Sequence, residues 1–481
     1  MEETHVLRVL YTYNPWWSNK PISPTKTSDF KRGEFFVIKE KMLPQRDILS
    51  IIGPRRVGKT IVIHQLIKDL LDAGVDPTRI LYLSIDEYNL TLESIIEDVL
   101  NTYSKYIIKS PLDSLDKPCY VFFDEIQEVP DWSRILKNWY DLGYKIKFVI
   151  SGSSSIWLTK GAEESLLGRI KTVIMMPLKF SEILKYNGIL PEGFYKRRNL
   201  VRASFKEAAY SGKLDGFTKE LESFIGYIAG LRDLIQIQLN KYMIVGGYPE
   251  FLENSDYAAI SAVIKEKLKL ILYKDIVRYF KIRDPTVLEG TLQLIAKGSG
   301  EKFNVDKTRQ VLDIQRPTLK QYVKYLTKAF LIRDSEFYSN SRKVRLRKQN
   351  KYYVLDVGIR NALQDYLDES LLLDSTELGM VVQGIVFDHI TRLKFNLEPG
   401  PDPSVFYWNN GKEIDFVTTL RRKPIPFESK YSASIGRDTL DCMEKFIVDY
   451  KSPFGVIVTK DELQLGAKIL FIPLWVFLLL V

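Results

Sequence analysis

One short stretch of the sequence combines glycines, a lysine and a threonine at the spacing that binds phosphate. It runs from Gly53 to Thr60 and fits G-x-x-x-x-G-K-[ST] at every fixed position. Glycines let backbone N–H groups curl around phosphate oxygens, and the N-terminus of a following helix attracts the anion. In such a loop the lysine reaches the β and γ phosphates and the hydroxyl ligates Mg²⁺. The residues predicted to bind the nucleotide phosphates are Gly53, Pro54, Arg55, Arg56, Val57, Gly58, Lys59, Thr60 and Ile61.

A pair of carboxylates at the end of an apolar run is the second chemical signal. Asp124 and Glu125 directly follow residues 119–123, which read as a buried strand. Asp124 is predicted to hold Mg²⁺ together with Thr60, and Glu125 to polarise the attacking water as a general base. Solvated acids at a strand end are the alternative, but the phosphate loop earlier in the chain favours the catalytic interpretation.

Two further polar segments supply candidates for contact with the phosphates. Ser151 and Ser153 follow an apolar strand-like run and one of them is predicted to sense the γ-phosphate, although an ordinary Ser/Gly turn fits equally well. Arg169 precedes a later strand and is predicted to stabilise transition-state charge, either in cis or across an interface between copies. A plain surface arginine is the alternative. The predicted catalytic residues are therefore Lys59, Glu125 and Arg169.

Apolar strands alternate with amphipathic helices over the part of the chain that contains these residues. The predicted strands span 47–52, 79–85, 119–123, 146–150 and 171–176. The predicted helices between them include 60–71 and 92–103. This alternation favours a parallel sheet that is covered on both faces, which is an α/β fold.

Composition bounds the remaining possibilities. A chain of 481 residues is too long for one core, and a formal charge of +9 is only a mild basic bias. Two distant cysteines cannot form a disulfide framework or a zinc site, which favours a reducing cytoplasm. The apolar run 469–481 is short and interrupted by proline, so we predict a buried final strand rather than a membrane span or tail anchor.

A second group of carboxylates lies near the end of the chain. Asp415 is followed by Glu428-Ser429-Lys430, a pattern that resembles the PD-(D/E)xK nuclease core, in which two carboxylates hold Mg²⁺ and the lysine helps to activate water. The related pattern has a glutamate in the preceding helix, where this chain has Gln383, a poorer metal ligand. An active nuclease and a degenerate nuclease-like fold both remain open.

The sequence between these two regions predicts a helix-turn-helix. A helix ending near 309–312, a turn at 313–315 and a helix over 316–328 have the required spacing, and 330–337 is predicted to form a β-wing. Lys320 and Lys324 share a helix face, and a basic segment follows. These charges could follow a DNA backbone, or the element could pack against protein and gate the nucleotide site. The basic residues of that segment are Arg342, Lys343, Arg345, Arg347 and Lys348.

These features, in this order, resemble a family of prokaryotic ATPases of the AAA+/STAND-like group, abundant in archaea. The matching stretches are Asn14 to Trp17, 53–60, 123–127 with Trp132, 151–154, 167–169, 177–178, 246–250 and 274–276. The resemblance implies ATP or ADP as the nucleotide, Mg²⁺ as the metal and a sensor position at Ser151 to Ser153. It also implies a helical lid, a winged helix and a restriction-endonuclease-like α/β domain. The predicted domains are an arm (1–46), the P-loop ATPase domain (47–180), the lid (181–285), the winged helix (286–345) and the nuclease-like domain (346–481).

Two hypotheses about function follow. The first is an ATPase that couples Mg²⁺-dependent hydrolysis to conformational change, with DNA as a partner. The second is a nucleotide-gated regulatory or scaffold protein with slow turnover and an inactive nuclease-like domain. Both allow a homo-oligomer or an unidentified protein partner, and neither needs a membrane.

Overall fold

The computed structural model describes residues 3–86, 94–153, 166–280, 282–400, 404–432, 435–466 and 468–481. The chain divides into two compact units. The first comprises residues 1–176 with 328–330, and the second comprises residues 177–327 with 331–481. Leu92, where a helix was predicted to begin, and Ser154 of the family pattern lie outside the described residues.

The first unit is built on a five-stranded parallel sheet. Its strands are β1 (Ile48–Ile52), β2 (Ile80–Ser84), β3 (Cys119–Asp124), β4 (Ile146–Gly152) and β5 (Ile170–Ile174). Their order across the sheet is β2-β3-β4-β1-β5. β1 and β2 are buried along their whole length, which explains their nearly continuous apolar sequences. The predicted parallel α/β sheet is confirmed.

Among the described residues of the first unit, α-helices accompany this sheet. They are α1 (Glu3–Tyr13), α2 (Gly33–Val37), α3 (Lys59–Asp72), α4 (Ile95–Tyr103) and α5 (Trp132–Asp141). α3 buries Val62, Ile63, Leu66, Ile67 and Leu70, which recur at helical spacing on one face. Because α3 begins at Lys59, directly after Gly58, the phosphate loop joins β1 to a helix N-terminus as the pattern requires.

The N-terminal arm covers the β2 edge of the sheet. Asn14 Nδ2 donates to the Tyr82 carbonyl (2.9 Å), and Tyr82 N donates back to Asn14 Oδ1 (2.7 Å). The indole N–H groups of Trp16 and Trp17 both donate to the Ile80 carbonyl. An uncovered edge strand leaves backbone groups unpaired, and these side chains satisfy them on β2.

The second unit begins with helices and continues into a small hairpin. Its helices up to that hairpin are α6 (Phe180–Tyr186), α7 (Phe194–Ser211), α8 (Asp215–Ile228), α9 (Arg232–Val245), α10 (Tyr257–Lys269), α11 (Val277–Phe280), α12 (Pro285–Lys297), α13 (Val305–Val311) and α14 (Arg316–Lys328). β6 (Ile332–Ser335) pairs antiparallel with β7 (Lys351–Val354). The basic segment between them contains α15 (Arg342–Arg345). Two helices separated by a short turn and followed by a hairpin match the predicted element order, and the winged-helix assignment itself stays a prediction.

The last part of the second unit is a mixed sheet with helices. Its helices are α16 (Val357–Leu363), α17 (Ser375–Leu397), α18 (Arg437–Asp449) and α19 (Leu474–Leu479). Its strands are β8 (Phe406–Asn410), β9 (Lys412–Leu420), β10 (Lys423–Lys430), β11 (Gly455–Thr459) and β12 (Ile469–Pro473), in the order β12-β11-β10-β9-β8. β8, β9 and β10 pair antiparallel, whereas β10, β11 and β12 pair parallel. The predicted C-terminal α/β domain is confirmed in this sense.

The final apolar run was predicted as one buried strand, and this is wrong for its second half. β12 ends at Pro473, and Leu474–Leu479 form a buried helix. Proline has no N–H to continue a strand ladder, but it fits the start of a helix. Because every residue of the run is apolar, the sequence has no hydrophobic period that would distinguish a helix from a strand. No helix in the described part of the chain is long and apolar enough to cross a membrane.

Candidate functional site

The phosphate loop connects β1 to α3, and its backbone depends on glycine at two positions. A Cβ on Gly53 would lie 2.0 Å from the carbonyl oxygen of Met175, so no other residue fits there without displacing backbone. Gly58 has a φ of +97°, in the left-handed region that favours glycine. These two positions allow the chain to pass close to β5 and then turn directly into the helix.

Lys59 is held inside this loop. Its Nζ donates to the carbonyl oxygens of Gly53 (3.0 Å) and Pro54 (2.9 Å), and only 4% of the residue is exposed. Burial lowers the pKa of Lys59, and the nearby carboxylates of Glu125 and Asp124 oppose this shift. Phosphate oxygens are stronger, charged acceptors than carbonyl oxygens, so the ammonium is placed to exchange one set of partners for the other.

Thr60 and Asp124 meet beside the loop, although 64 positions separate them in the chain. Thr60 Oγ1 donates to Asp124 Oδ2 at 2.6 Å, and Ser151 Oγ donates to Asp124 Oδ1. Asp124 is almost fully buried. A hydroxyl and a carboxylate are the hard oxygen ligands that Mg²⁺ takes while it keeps several waters. These residues therefore fit a hydrated Mg²⁺ next to the phosphates.

Glu125 adopts a left-handed backbone conformation, with a φ of +52°. Its amide donates to Ser151 Oγ (3.3 Å), and Gln127 Nε2 donates to its Oε2. Burial raises the pKa of Glu125, and the Lys59 ammonium opposes the shift. A carboxylate with a raised pKa is a stronger base while it remains ionised, and its amide partner fixes its orientation.

The structure brings five of the predicted residues together, at the carboxyl ends of β1, β3 and β4. These residues are Lys59, Thr60, Asp124, Glu125 and Ser151. Arg55, which is partly buried, is close enough to influence the charge of Lys59, and Arg56 is exposed on the loop. In an α/β sheet this edge is where ligands bind.

Arg169 is not brought to this group within the chain. It precedes β5, and its carbonyl accepts from Ile48 N (2.8 Å) at the start of β1, the edge of the sheet opposite to the loop. Its guanidinium forms a two-point ion pair with Asp141, at 2.7 and 3.3 Å. Because the strands are parallel, their starts and ends lie on opposite edges, so the in cis role that the sequence allowed for Arg169 has no geometric support.

Two residues that the sequence did not single out contact the site. Tyr82 Oη, from β2, donates to Asp124 Oδ2 at 3.2 Å. Arg32, from the arm, is 4% exposed and donates to the carbonyl oxygens of Val57 (2.9 Å) and Met176 (2.8 Å). Neither belongs to a local pattern, because each meets the site only through the packing of a distant segment. No signal in a single sequence would have found them.

The second predicted group, Asp415 and Glu428, lies on neighbouring strands of the C-terminal sheet. The register that pairs Phe416 with Phe427 places the two carboxylates side by side. Asp415 N donates to Glu428 Oε2 (3.0 Å), and Ser429 N donates to Asp415 Oδ2 (3.0 Å). Lys430 Nζ lies 2.9 Å from Glu428 Oε1. Burial raises the pKa of both carboxyl groups, and the Lys430 ammonium opposes it in each.

Further polar side chains surround this pair. Gln383 Nε2, from α17, donates to Asp415 Oδ1 at 2.6 Å. Lys351, from β7, is 1% exposed and donates to Glu413 Oε1, while Lys302 Nζ lies 3.3 Å from Glu413 Oε2. In the described residues, no group of three or more His, Cys, Asp or Glu side chains is placed to hold a metal ion.

Basic residues form two exposed surfaces in the second unit. On α14 the exposed basic residues recur every four positions, at Arg316, Lys320 and Lys324, while Leu319, Val323 and Leu326 are buried. Arg342, Lys343, Arg347 and Lys348 are exposed on the segment between β6 and β7. Regular spacing on one helix face allows several cations to reach one polyanion.

Comparison with protein families agrees with the site in the first unit. Residues 45–184 match a family model described as an AAA domain. With the phosphate loop, the paired carboxylates and the parallel sheet, this part of the chain is a P-loop NTPase domain of the AAA type. Residues 236–370 and 378–477 match two further models, each described as a domain of unknown function, DUF8612 and DUF4143.

The relatives found for the whole chain are uncharacterized proteins. One, from Methanocaldococcus jannaschii, is 26% identical over 460 residues, which cover 94% of this chain and 89% of the relative. Another, from Mycobacterium tuberculosis, is 23% identical and covers 88% of this chain and 78% of its own length. Among solved structures, the Aeropyrum pernix ORC2 protein in ADPNP–ADP complexes aligns with a TM-score of 0.34 at 13% identity, covering 74% of this chain and 98% of that one.

Proposed function

We propose that this protein binds ATP with Mg²⁺ at the phosphate loop and hydrolyses it, and that the change from ATP to ADP drives a conformational change. The observation that supports this most directly is the 2.6 Å contact between Thr60 Oγ1 and Asp124 Oδ2 beside a glycine-dependent loop. Two Mg²⁺ ligands from separate elements thereby converge next to a helix N-terminus that attracts phosphate.

Each residue of the site has a distinct role in this proposal. Lys59 neutralises charge on the β and γ phosphates, and Thr60 with Asp124 positions the hydrated Mg²⁺. Glu125 takes a proton from the attacking water. Ser151 contacts both Asp124 and the Glu125 backbone, so it links the metal ligand to the base and is placed to respond to loss of the γ-phosphate.

The test compares two variants. Lys59→Ala should weaken ATP binding by about 10- to 100-fold, since hydrogen bonds to charged groups contribute about 1.5–3 kcal/mol. Glu125→Gln should retain ATP binding and lose at least about 100-fold in hydrolysis rate, the usual contribution of a general base. Fluorescent-nucleotide titration and phosphate release measure the two effects.

Matched controls are available on the same elements. Lys68→Ala removes an exposed lysine farther along α3, and Glu128→Gln makes the same change three residues after Glu125. Both controls should behave like the unaltered protein. Unchanged ATP affinity in Lys59→Ala would contradict the assigned site.

We further propose DNA as the partner that stimulates hydrolysis. The support is the regular basic face of α14, with Arg316, Lys320 and Lys324 all exposed. An ATPase assay with no DNA, single-stranded, duplex and branched DNA tests this. Stimulation that disappears in Glu125→Gln supports the proposal, and hydrolysis that is indifferent to every DNA contradicts it.

A nucleotide-gated scaffold with slow turnover is the second candidate. It is favoured by the placement of Arg169, whose ion pair with Asp141 holds it at the opposite edge of the sheet from the phosphates. A catalytic role for Arg169 would then require a second copy of the chain. In this case hydrolysis without a partner is slow, and it rises with protein concentration if copies associate.

The cellular location that we propose is the cytoplasm. Both cysteines, Cys119 and Cys442, are buried as free thiols. This state is compatible with the reducing compartment proposed from the sequence.

A further inference from the structure

The group around Asp415 and Glu428 is a polar cluster that the ATPase proposal does not use. A nuclease-like core would place a divalent cation between these two carboxylates. Whether the cation fits depends on which carboxylate oxygens are still available to it.

All four carboxylate oxygens of the pair already have a partner in the protein. Asp415 Oδ1 accepts from Gln383 Nε2, and Asp415 Oδ2 accepts from Ser429 N. Glu428 Oε1 is paired with Lys430 Nζ, and Glu428 Oε2 accepts from Asp415 N. A metal ion would therefore have to share each oxygen with a protein donor that is already in place.

The Gln383 amide is oriented against metal binding. Its nitrogen points to Asp415, and its oxygen lies on the opposite side, where a Cβ on Gly300 would come within 2.2 Å of it. Gly300 has a φ of +86° and no side chain, which leaves room for that oxygen. The carbonyl group that could ligate a cation is therefore directed away from the carboxylates.

Charge in the group is balanced without a metal. Three carboxylates, Glu413, Asp415 and Glu428, are matched by the ammonium groups of Lys302, Lys351 and Lys430. Lys351 is buried and therefore needs its carboxylate partner. A divalent cation would add two positive charges beside Asp415 and Glu428, which are both buried, and charge imbalance is costly there.

We propose that this group is a structural cluster of ion pairs and hydrogen bonds that needs no metal ion, and not a nuclease centre. Gln383, Lys351 and Lys430 satisfy the acids in place of the cation, and the Lys351–Glu413 pair ties β7 to β9. Two further contacts join the other strand of the hairpin to β8. Ser335 Oγ, at the end of β6, donates to the Val405 carbonyl (2.9 Å), and Tyr338 N donates to the Tyr407 carbonyl (2.6 Å). The C-terminal sheet thus anchors the β6–β7 hairpin and its basic segment. This inference does not depend on ATP hydrolysis.

Mn²⁺ titration of the full chain by calorimetry tests the absence of a metal site. The unaltered protein and Asp415→Asn should give the same isotherm, because any binding at the phosphate loop is common to both. Gln383→Glu supplies the missing acid and should add one Mn²⁺ site, which is lost again in the double variant with Asp415→Asn. Asn396→Asp adds the same charge at an exposed position of the same helix and should add none.

Three results would overturn the proposal. One is an Mn²⁺ site in the unaltered protein that Asp415→Asn removes. Another is metal-dependent cleavage of single-stranded, duplex or branched DNA that Asp415→Asn abolishes. The third is failure of Gln383→Glu to gain a site, which would contradict the role assigned to Gln383.

Hydrogen exchange tests whether the Lys351–Glu413 ion pair holds β7 and β9 together. Lys351→Met should accelerate amide exchange in both Lys351–Val354 and Lys412–Leu420, whereas Lys343→Met, at an exposed position of the basic segment, should not. Unchanged protection of both strands in Lys351→Met would show that the ion pair does not hold them together. If Lys351→Met does not fold, the Mn²⁺ titrations still decide the first part.

Discussion

Neighbouring side chains fix the orientation of the Asp124 carboxylate. Three hydroxyl groups, from Thr60, Tyr82 and Ser151, donate to its two carboxylate oxygens. Thr60 is the one partner that the sequence pattern predicts as an Mg²⁺ ligand. Tyr82 is itself fixed by Asn14, which bonds both its N–H and its carbonyl. The carboxylate is therefore held in one orientation before any cation arrives.

We predict that Tyr82→Phe raises the Mg²⁺ concentration that ATP hydrolysis requires and leaves metal-free nucleotide binding unchanged. Loss of an outer-shell hydrogen bond typically lowers metal affinity by about 10- to 100-fold. ATP hydrolysis measured against Mg²⁺ concentration should show a raised requirement, and nucleotide binding in EDTA should be unchanged. Tyr120→Phe, on the adjacent β3, serves as the control. An unchanged Mg²⁺ requirement would mean that Tyr82 only packs against the site.

Among the elements, the N-terminal arm supports the phosphate loop from outside. Gln65, on α3, donates to the carbonyl oxygens of Ser28 (2.6 Å) and Phe30 (3.0 Å), so this part of the arm is fixed to the helix that begins at the loop. Arg32 then bonds Val57, within the loop, and Met176, beyond β5. One guanidinium with two fixed acceptors thus sets the distance between loop and strand.

Arg32→Ala should therefore loosen the loop and weaken ATP binding about tenfold, because two buried carbonyl groups lose a charged donor. Arg32→Lys should recover part of the loss, since an ammonium is a charged donor but lacks the fork geometry. Arg46→Ala is the control, because Arg46 makes a similar but exposed bond to the Tyr140 carbonyl. Equal affinity in Arg32→Ala and Arg46→Ala would exclude this positioning role.

The Gly246-Gly247 turn is the corresponding junction in the second unit. Asp356, at the start of α16, accepts from Gly247 N (2.8 Å) and Gly358 N (2.9 Å). Asn361 Nδ2 donates to the last carbonyl groups of α9, at Met243 and Ile244. α16 therefore caps the end of α9. Close packing also requires a glycine after α9, because a Cβ on Gly247 would lie 2.2 Å from the Leu178 carbonyl oxygen.

Burial raises the pKa of Asp356 to about 6. This lies above the value of about 3.9 for an unfolded chain, so the folded state binds the extra proton. Protonated Asp356 therefore adds roughly 3 kcal/mol to the free energy of unfolding below about pH 4. This contribution is lost as the pH rises to about 6. Asp356→Asn should remove this loss. Thermal unfolding between pH 4 and 7 should show a shallower decline in the variant, and parallel curves would contradict the assignment.

Asp356→Ala should be more harmful than Asp356→Asn at every pH. It leaves the buried N–H groups of Gly247, Gly358 and Ile359 without this acceptor, at about 1–3 kcal/mol each. Faster amide exchange at the end of α9 would report the loss locally. Glu369→Ala, at an exposed position nearby in the chain, should change stability by less than about 0.5 kcal/mol.

At the scale of the whole molecule, the proposed partner is a polyanion, and its binding should depend on salt. Each phosphate contact contributes a slope of about −0.9 in log affinity against log salt concentration. Replacing the four exposed basic residues at 342, 343, 347 and 348 with alanine should therefore weaken duplex DNA binding and reduce that slope by up to about 3.6. Fluorescence anisotropy over a range of salt concentrations measures both quantities.

A matched control removes four exposed basic residues from another part of the second unit, at Lys196, Arg197, Lys213 and Lys219. Equal losses of DNA affinity in the two variants would show that binding depends only on the net charge of the protein. No loss in either would favour the scaffold hypothesis, in which the partner is a protein.

Local patterns in the sequence were sufficient for the phosphate loop and for most of the parallel sheet. The loop from Gly53 to Thr60 is continuous in the sequence, so its residue types and their spacing were enough to identify it. The strands were predictable because burial on both faces requires uninterrupted apolar runs. The pair Asp124-Glu125 was identified because it directly follows such a run.

Only the tertiary structure decided which distant groups meet. It placed Arg32 and Tyr82 at the site and Arg169 at the opposite edge, because strand order and strand direction are settled by packing between segments far apart in sequence. It also turned the amide of Gln383 toward Asp415 and buried Lys351 beside Glu413. The sequence showed that an acid was missing from the nuclease-like pattern, but the side chains that balance the remaining acids come from α17 and β7 and could not be inferred from spacing.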